Sequence, residues 1–254
     1  MNNFSKISLT VILLALVIWI AGCGGGDDTT SVTLDIENLS QLQPNASYAA
    51  WVDSGGTLFL LNRFNTDSTG SARFTNFAFA STLNNGDTVF ITIQPDPDPN
   101  RGAPTNVRVL EGTVSGNAAV LTFPRMQDFQ NSTGFARVVS NNQLFTEFTN
   151  LPDVSDLGMI YQGFLESNGS FFPLKKFNSN QVPVSDTTTI NPTTATYILS
   201  VVPVTGFDTS RPYGIQPFFT NGNLQPLIRQ PLVRSSFTPS DANFRFPSAV
   251  ATIR

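Results

Sequence analysis

The sequence predicts an all-β protein: two tandem immunoglobulin-like antiparallel β-sandwich domains behind a signal peptide and a flexible tether. Three observations lead there. First, β-branched and aromatic residues alternate with smaller or polar ones in short runs such as Tyr48–Asp53 and Val89–Pro95, and no stretch after Thr30 sustains a helical period. Second, charged residues make up 13% of the chain, against about 25% in ordinary soluble domains, while 18 Gly and 17 Pro accompany 22 Phe; this is the composition of a turn-rich exported β-protein. Third, the chain repeats itself, and six or seven short strands per copy suit a sandwich.

The repeat is read pair by pair. Ile36-Glu37-Asn38-Leu39 matches Phe148-Thr149-Asn150-Leu151. Tyr48 to Thr57 matches Tyr161 to Ser170, and the same offset carries Arg63-Phe64 onto Lys176-Phe177. Val89 to Pro95 matches Tyr197 to Pro203 at a slightly shorter offset. Ala119-Val120-Leu121-Thr122-Phe123 resembles Ala249-Val250-Ala251-Thr252-Ile253 at a longer one, which implies an insertion in copy two within about residues 222–247. Asp53-Ser54-Gly55-Gly56 and Ser167-Asn168-Gly169 are hairpin turns, where glycine supplies positive φ. The expected layout is therefore domain one over residues 31–124, a polar linker over 125–142 with its aperiodic part at Met126–Thr133, and domain two over 143–254.

The N-terminus carries a different message. Lys6 and the free amino group precede an uncharged apolar run from Ile7 to Ile20. Such a run is short of the roughly 20 residues of a membrane span and has the length of a signal-peptide core. It ends in Ile20-Ala21-Gly22-Cys23, which resembles the bacterial lipobox: a branched apolar residue, two small residues, then cysteine. Residues 1–22 are thus expected to be removed, and Cys23 to take the diacylglycerol. Residues 23–30 form the tether, polar and too poor in apolar groups to fold alone. Gly24 stands where some lipoproteins carry a retention aspartate, so the resemblance implies anchoring in the outer membrane, and the nearby Asp27-Asp28 resembles the acidic export signals of some surface lipoproteins.

Composition also excludes. The formal net charge is −4, and nucleic-acid binding needs clustered Lys and Arg, so nucleic acid is not an expected partner. There is no histidine and Cys23 is the only cysteine, which removes the commonest general base, any Ser-His-Asp arrangement and the usual zinc sites. No P-loop and no Gly-x-Gly-x-x-Gly opens a helix. A cofactor is not expected, and the chain reads as non-catalytic. Its expected partners are the membrane, through lipid on Cys23, and an envelope protein or glycan.

The residues Tyr48, Trp51, Val52, Gly55, Gly56 and Phe64, with the run Thr92-Ile93-Gln94-Pro95-Asp96-Pro97, resemble the extracytoplasmic C-terminal domain of anti-sigma-K factors. Copy two keeps Tyr161, Phe164, Leu165, Gly169 and Phe177 but lacks the tryptophan. The resemblance implies the sandwich fold and, loosely, an extracytoplasmic sensing or binding role. Those factors grip their sigma factor through a cytoplasmic helical domain that this chain lacks, so direct sigma-factor binding is not implied.

Two sites invite a function. Strand alternation places Trp51 and Phe164 on the face with polar neighbours, where they would form an aromatic contact surface, or else lie as peripheral core under a loop. Asp96, Asp98 and Asn100 offer hard oxygens at alternate positions, as a calcium loop does, but without the glycine and bidentate glutamate of an EF-hand; a solvated, proline-stiffened loop is the plainer reading.

Overall fold

The computed structural model describes residues 30–79, 82–204 and 210–254, so the signal peptide, Ile20, Ala21, Gly22 and Cys23 lie outside the described residues. The fold is all-β. The first half supplies β1 (Thr30–Glu37), β2 (Ala46–Ser54), β3 (Thr57–Phe64), β4 (Ala72–Phe79), β5 (Thr88–Pro95), β6 (Arg108–Thr113) and β7 (Ala118–Thr122). A 3-10 helix over Met126–Asn131 leads to β8 (Thr133–Ser140), β9 (Gln143–Thr149), β10 (Met159–Ser167), β11 (Ser170–Phe177), β12 (Val184–Thr187) and β13 (Thr196–Pro203). The chain closes with β14 (Ile215–Phe219), β15 (Gln230–Pro231), β16 (Val233–Arg234) and β17 (Ser248–Ile253). Among the described residues no helix is long and apolar enough to cross a membrane.

The strands pack as β-sandwich-like layers. One sheet runs β3-β2-β5-β6-β7-β17-β1-β4, but β6 and β7 are joined only through Glu111 and Thr122, so it divides there into two four-stranded layers. Phe64 on β3 meets Phe74 on β4 at 4.7 Å between ring centroids, closing the far edges of these layers against each other. The second unit has two separate sheets, β11-β10-β13-β14-β16 and β15-β8-β9-β12. There Phe148 on β9 packs on Phe177 of β11 at 5.8 Å and on Phe218 of β14 at 5.9 Å, across the layers.

Local chemistry places these strands where the repeat expects them. β2 and β10 bury the same positions in the same order. Asn38 and Asn150, each following its unit's paired strand, both hold positive φ (59° and 56°), a conformation that asparagine tolerates better than most residues. Tyr48 donates its hydroxyl to the Ser40 carbonyl and Tyr161 donates to that of Pro152, so each unit ties its central strand to the loop before it.

Two expectations need correction. The C-terminal strand does not close the second unit. β17 lies between β7 and β1, with Ala249 opposite Leu121 on one side and Ile36 on the other. The similarity of Ala119–Phe123 to Ala249–Ile253 arises because these segments are neighbours in one sheet, sending Ala119, Leu121, Ala249, Ala251 and Ile253 inward and exposing Val120 and Val250. By pairing, the counterpart of β17 in unit two is β8, and that of β7 is the two-residue β15. The insertion inferred from the longer offset therefore rested on a false match; residues 222–247 hold β15 and β16.

The second correction is the linker. Residues 125–142 include all of β8, and the 3-10 helix buries Met126 and Phe129. Phe129 sits edge-on to Tyr161 at 6.4 Å and 6.1 Å from Phe246, which also stacks with Phe123. Arg125 pairs with Asp128 and reaches Asp156 at 2.5 Å. The segment is a wedge of aromatic core between the units, and buried apolar side chains from both halves form one contiguous cluster. Its polar surface residues hid two apolar anchors spaced as one short helical turn requires.

Candidate functional site

Of the two readings of Trp51 and Phe164, a contact surface or core, the buried one describes both side chains. Trp51 is 1% exposed: its ring stacks on Phe90 of β5 at 6.5 Å, and its indole N–H donates to the Thr92 hydroxyl at 3.0 Å. The Arg108 guanidinium lies 4.1 Å from the centre of the Phe90 ring, and the Gln94 amide donates to the same Thr92 hydroxyl. Ala49, Trp51 and Phe90 thus form a small second core on the outer face of the sheet. Phe164 is fully buried, opposite Pro173 of β11 and Ile198 of β13. For Trp51 alternation identified the outer face but could not show that Gln94 of β5 and Arg108 of β6 fold over it, and Phe164 belongs to the main core.

The Asp96, Asp98 and Asn100 loop is tied down by the protein itself. Asp98 forms an ion pair with Arg63 on β3 and accepts the Asn100 backbone N–H at 2.8 Å, and the Asp96 N–H donates to the Asn45 carbonyl. Burial pushes the Asp98 carboxyl up, but the Arg63 hydrogen bond, the Asn100 N–H and the charges of Arg63 and Arg101 outweigh it and hold the group below its ordinary value. Among the described residues no group of three or more His, Cys, Asp or Glu could hold a metal ion. The loop is a proline-bearing clasp on the β3 edge: Asp96, Pro97, Pro99 and Asn100 are exposed, as the solvated reading has it, and Asp98 alone is drawn into an ion pair.

One concavity among the described residues is one that the sequence did not single out. A groove of about 730 Å³ opens between the two units. Its first wall is the loop 38–43 with the turn 68–70, and its second is the segment 210–214 with Gln216, Phe244 and Arg245. The walls are stitched at the floor. Because the Tyr48 hydroxyl donates to Ser40, the buried Tyr213 hydroxyl donates to Tyr48, linking unit two to unit one. Burial pushes both phenols above their ordinary range, so both stay neutral. Gly214 runs so close to Asn38 that a Cβ there would stand 2.3 Å from the Asn38 carbonyl oxygen. No protein-family model, curated protein or solved structure matches the chain.

The groove's chemistry is that of polar recognition. Arg245 is half-buried, with its guanidinium 3.8 Å from the centre of the Phe219 ring, and Arg211 is exposed at the rim. Between them Gln41, Gln43 and Gln216 offer side-chain amides that can both donate and accept. Sequence reasoning missed the site because its walls are far apart along the chain and neither wall carries a motif. The one available signal was local: Gly70 closes the small polar run Asn65-Thr66-Asp67-Ser68-Thr69, as a segment in close backbone contact often does.

Proposed function

We propose that the chain is a non-catalytic, lipid-anchored lipoprotein of the cell envelope that presents two β-sandwich units for binding. The observation that carries this reading is Ile20-Ala21-Gly22-Cys23 after an uncharged apolar run, with the chain's only cysteine at the position that lipidation requires. β1 begins at Thr30, so even a fully extended tether from Cys23 keeps the first strand within about 25 Å of the anchor. The lack of histidine and of a second thiol supports binding over catalysis, and Gly24 after the cysteine supports the outer membrane.

Lipid analysis and fractionation test this. Wild-type protein should partition into detergent and carry the added mass of acyl chains, whereas Cys23→Ser should remain unprocessed or leave the membrane fraction. Identical mass and partitioning in the two proteins would sink the proposal. A second reading, an extracytoplasmic sensor or regulator related to anti-sigma factor ectodomains, draws on the Tyr48, Trp51 and Gly55 pattern. Those residues serve a hydroxyl tie, a buried stack and a positive-φ turn, so the pattern supports a common scaffold more than common signalling.

A further inference from the structure

We propose that the groove between the two units binds an anionic polysaccharide, a uronate-bearing chain whose carboxylates pair with Arg211 and Arg245 and whose hydroxyls meet the surrounding amides. This deepens the envelope-binding reading and rests on it for the setting in which such a glycan is met.

Charge is the first support. The formal net charge of the chain is −4, yet the described residues lining the groove include two arginines and no Asp or Glu. A concave site of one sign on a surface of the other attracts oppositely charged ligands selectively.

The state of Arg245 is the second. No carboxylate of the described residues lies within ion-pair distance of it, although six other ion pairs form among them. Burial pulls its pKa down, and the more distant charge of Glu166 only partly offsets this. Its guanidinium lies over Phe219 and makes one long hydrogen bond, 3.5 Å, to the Gln216 side-chain oxygen, so its charge has only neutral partners; an incoming carboxylate supplies two parallel hydrogen bonds to it.

The lining separates a glycan from an acidic peptide. Ser40, Thr69 and the three glutamines line it with hydroxyls and amides, while Leu39 and Leu42 beneath them are buried, so that only Pro212 and Phe244 add partly exposed apolar surface to the lining. A hydroxyl-rich ligand needs partners that donate and accept at once, which amides and hydroxyls provide and lysine or arginine alone do not. The floor is preorganised by the Tyr213–Tyr48–Ser40 chain and by the Gly214–Asn38 approach, so little ordering cost falls on binding. The groove volume of about 730 Å³ suits a small-ligand or oligomer cleft.

Titration calorimetry on the full-length lipoprotein in neutral detergent micelles tests this, with oligogalacturonate as probe, maltodextrin as neutral control and polyglutamate as the anionic peptide. The expected result is saturable binding of oligogalacturonate that weakens with salt, and none of maltodextrin. Arg211→Gln, an exposed position, should weaken binding roughly 10-fold with an unchanged melting temperature, as loss of one charge-assisted contact predicts; Arg245→Gln should weaken it at least as much. Absence of oligogalacturonate binding, or binding unaffected by Arg211→Gln, overturns the proposal. Tighter capture of polyglutamate overturns it in favour of an acidic peptide. The titration does not depend on lipid, so a failed Cys23→Ser test and a failed titration are distinguishable.

Discussion

β8 and β17 do the same job in two units and reach it by opposite routes. β8 folds back onto β9 through the turn Asn141-Asn142, with Ser140 opposite Gln143. β17 pairs with β1 from the other end of the chain, with Val32 opposite Ile253. Around them the units agree: β3-β2-β5-β6 parallels β11-β10-β13-β14, and β7-β17-β1-β4 parallels β15-β8-β9-β12. Each tyrosine tie and each positive-φ asparagine recurs. A sandwich layer requires a strand beside β1 with small inward residues and a free ladder on each side, and it does not matter which part of the chain supplies it. The cost is kinetic: a contact between chain ends closes a long loop, so unit one completes its sheet only once the last residues are present.

The sharpest way to break this comparison is to remove residues 248–254. β17 contributes Ala249, Ala251 and Ile253 to the core and a ladder on each side. Its loss should cost on the order of 5 kcal/mol or more, close to the whole stability of a small domain. Hydrogen exchange should show β1 and β7 amides losing protection while the β8–β9 hairpin keeps more of its own. Equal loss in β8 and β9 would mean that the units do not divide as the sheets do.

Next come the paired aromatics. Trp51→Ala and Phe164→Ala should each cost about 3–5 kcal/mol and lower the melting temperature, since both side chains are fully enclosed. Trp51 should prove the more forgiving, because its buried apolar neighbours are Ala49 and Phe90 and the Leu60 opposite it on β3 is exposed, whereas Phe164 lies in the main core. A Trp51→Ala protein that melts like wild type would restore the exposed platform.

The tyrosine ties allow a finer contrast. Tyr161→Phe removes one hydroxyl from one carbonyl and should cost about 0.5–1.5 kcal/mol. Tyr48→Phe also leaves the buried Tyr213 hydroxyl without its acceptor and should cost about 1–3 kcal/mol. Chemical denaturation of the two variants measures the difference, and equal costs would mean that the hydroxyl link between units adds nothing.

The smallest effect concerns acid. Asp98 is held below its ordinary carboxyl value when folded, so its contribution is present above the unfolded pKa of about 3.9 and is lost as pH falls through the folded one. Melting temperatures of wild type and Asp98→Asn, taken between pH 6 and pH 3, should therefore converge at the acid end. A gap that stays constant over that range would assign the Arg63 pair no role in acid sensitivity.

Edge strands differ as well. β11 carries Pro173, Lys175 and Lys176, residues that discourage further pairing, whereas its counterpart β3 exposes Leu58 (43%) and Leu60 (39%).

The amino-acid sequence by itself determined what is local. Alternation set which residues of β2, β5, β10 and β13 point together, and Gly55, Gly56, Asn168 and Gly169 set the hairpin turns, because these depend on neighbours within a few residues. Tertiary structure decided the rest. Ala249–Ile253 has the pattern of a strand beside a core but says nothing of which core, since small alternating residues suit any such place. Trp51 reads as either contact surface or peripheral core until Arg108 and Thr92, far along the chain, are brought beside its stack with Phe90. The groove exists only where the Asn38 and Gly214 segments meet, and no local pattern of either encodes that meeting, because it depends on how two whole units pack around Phe129 and Phe246.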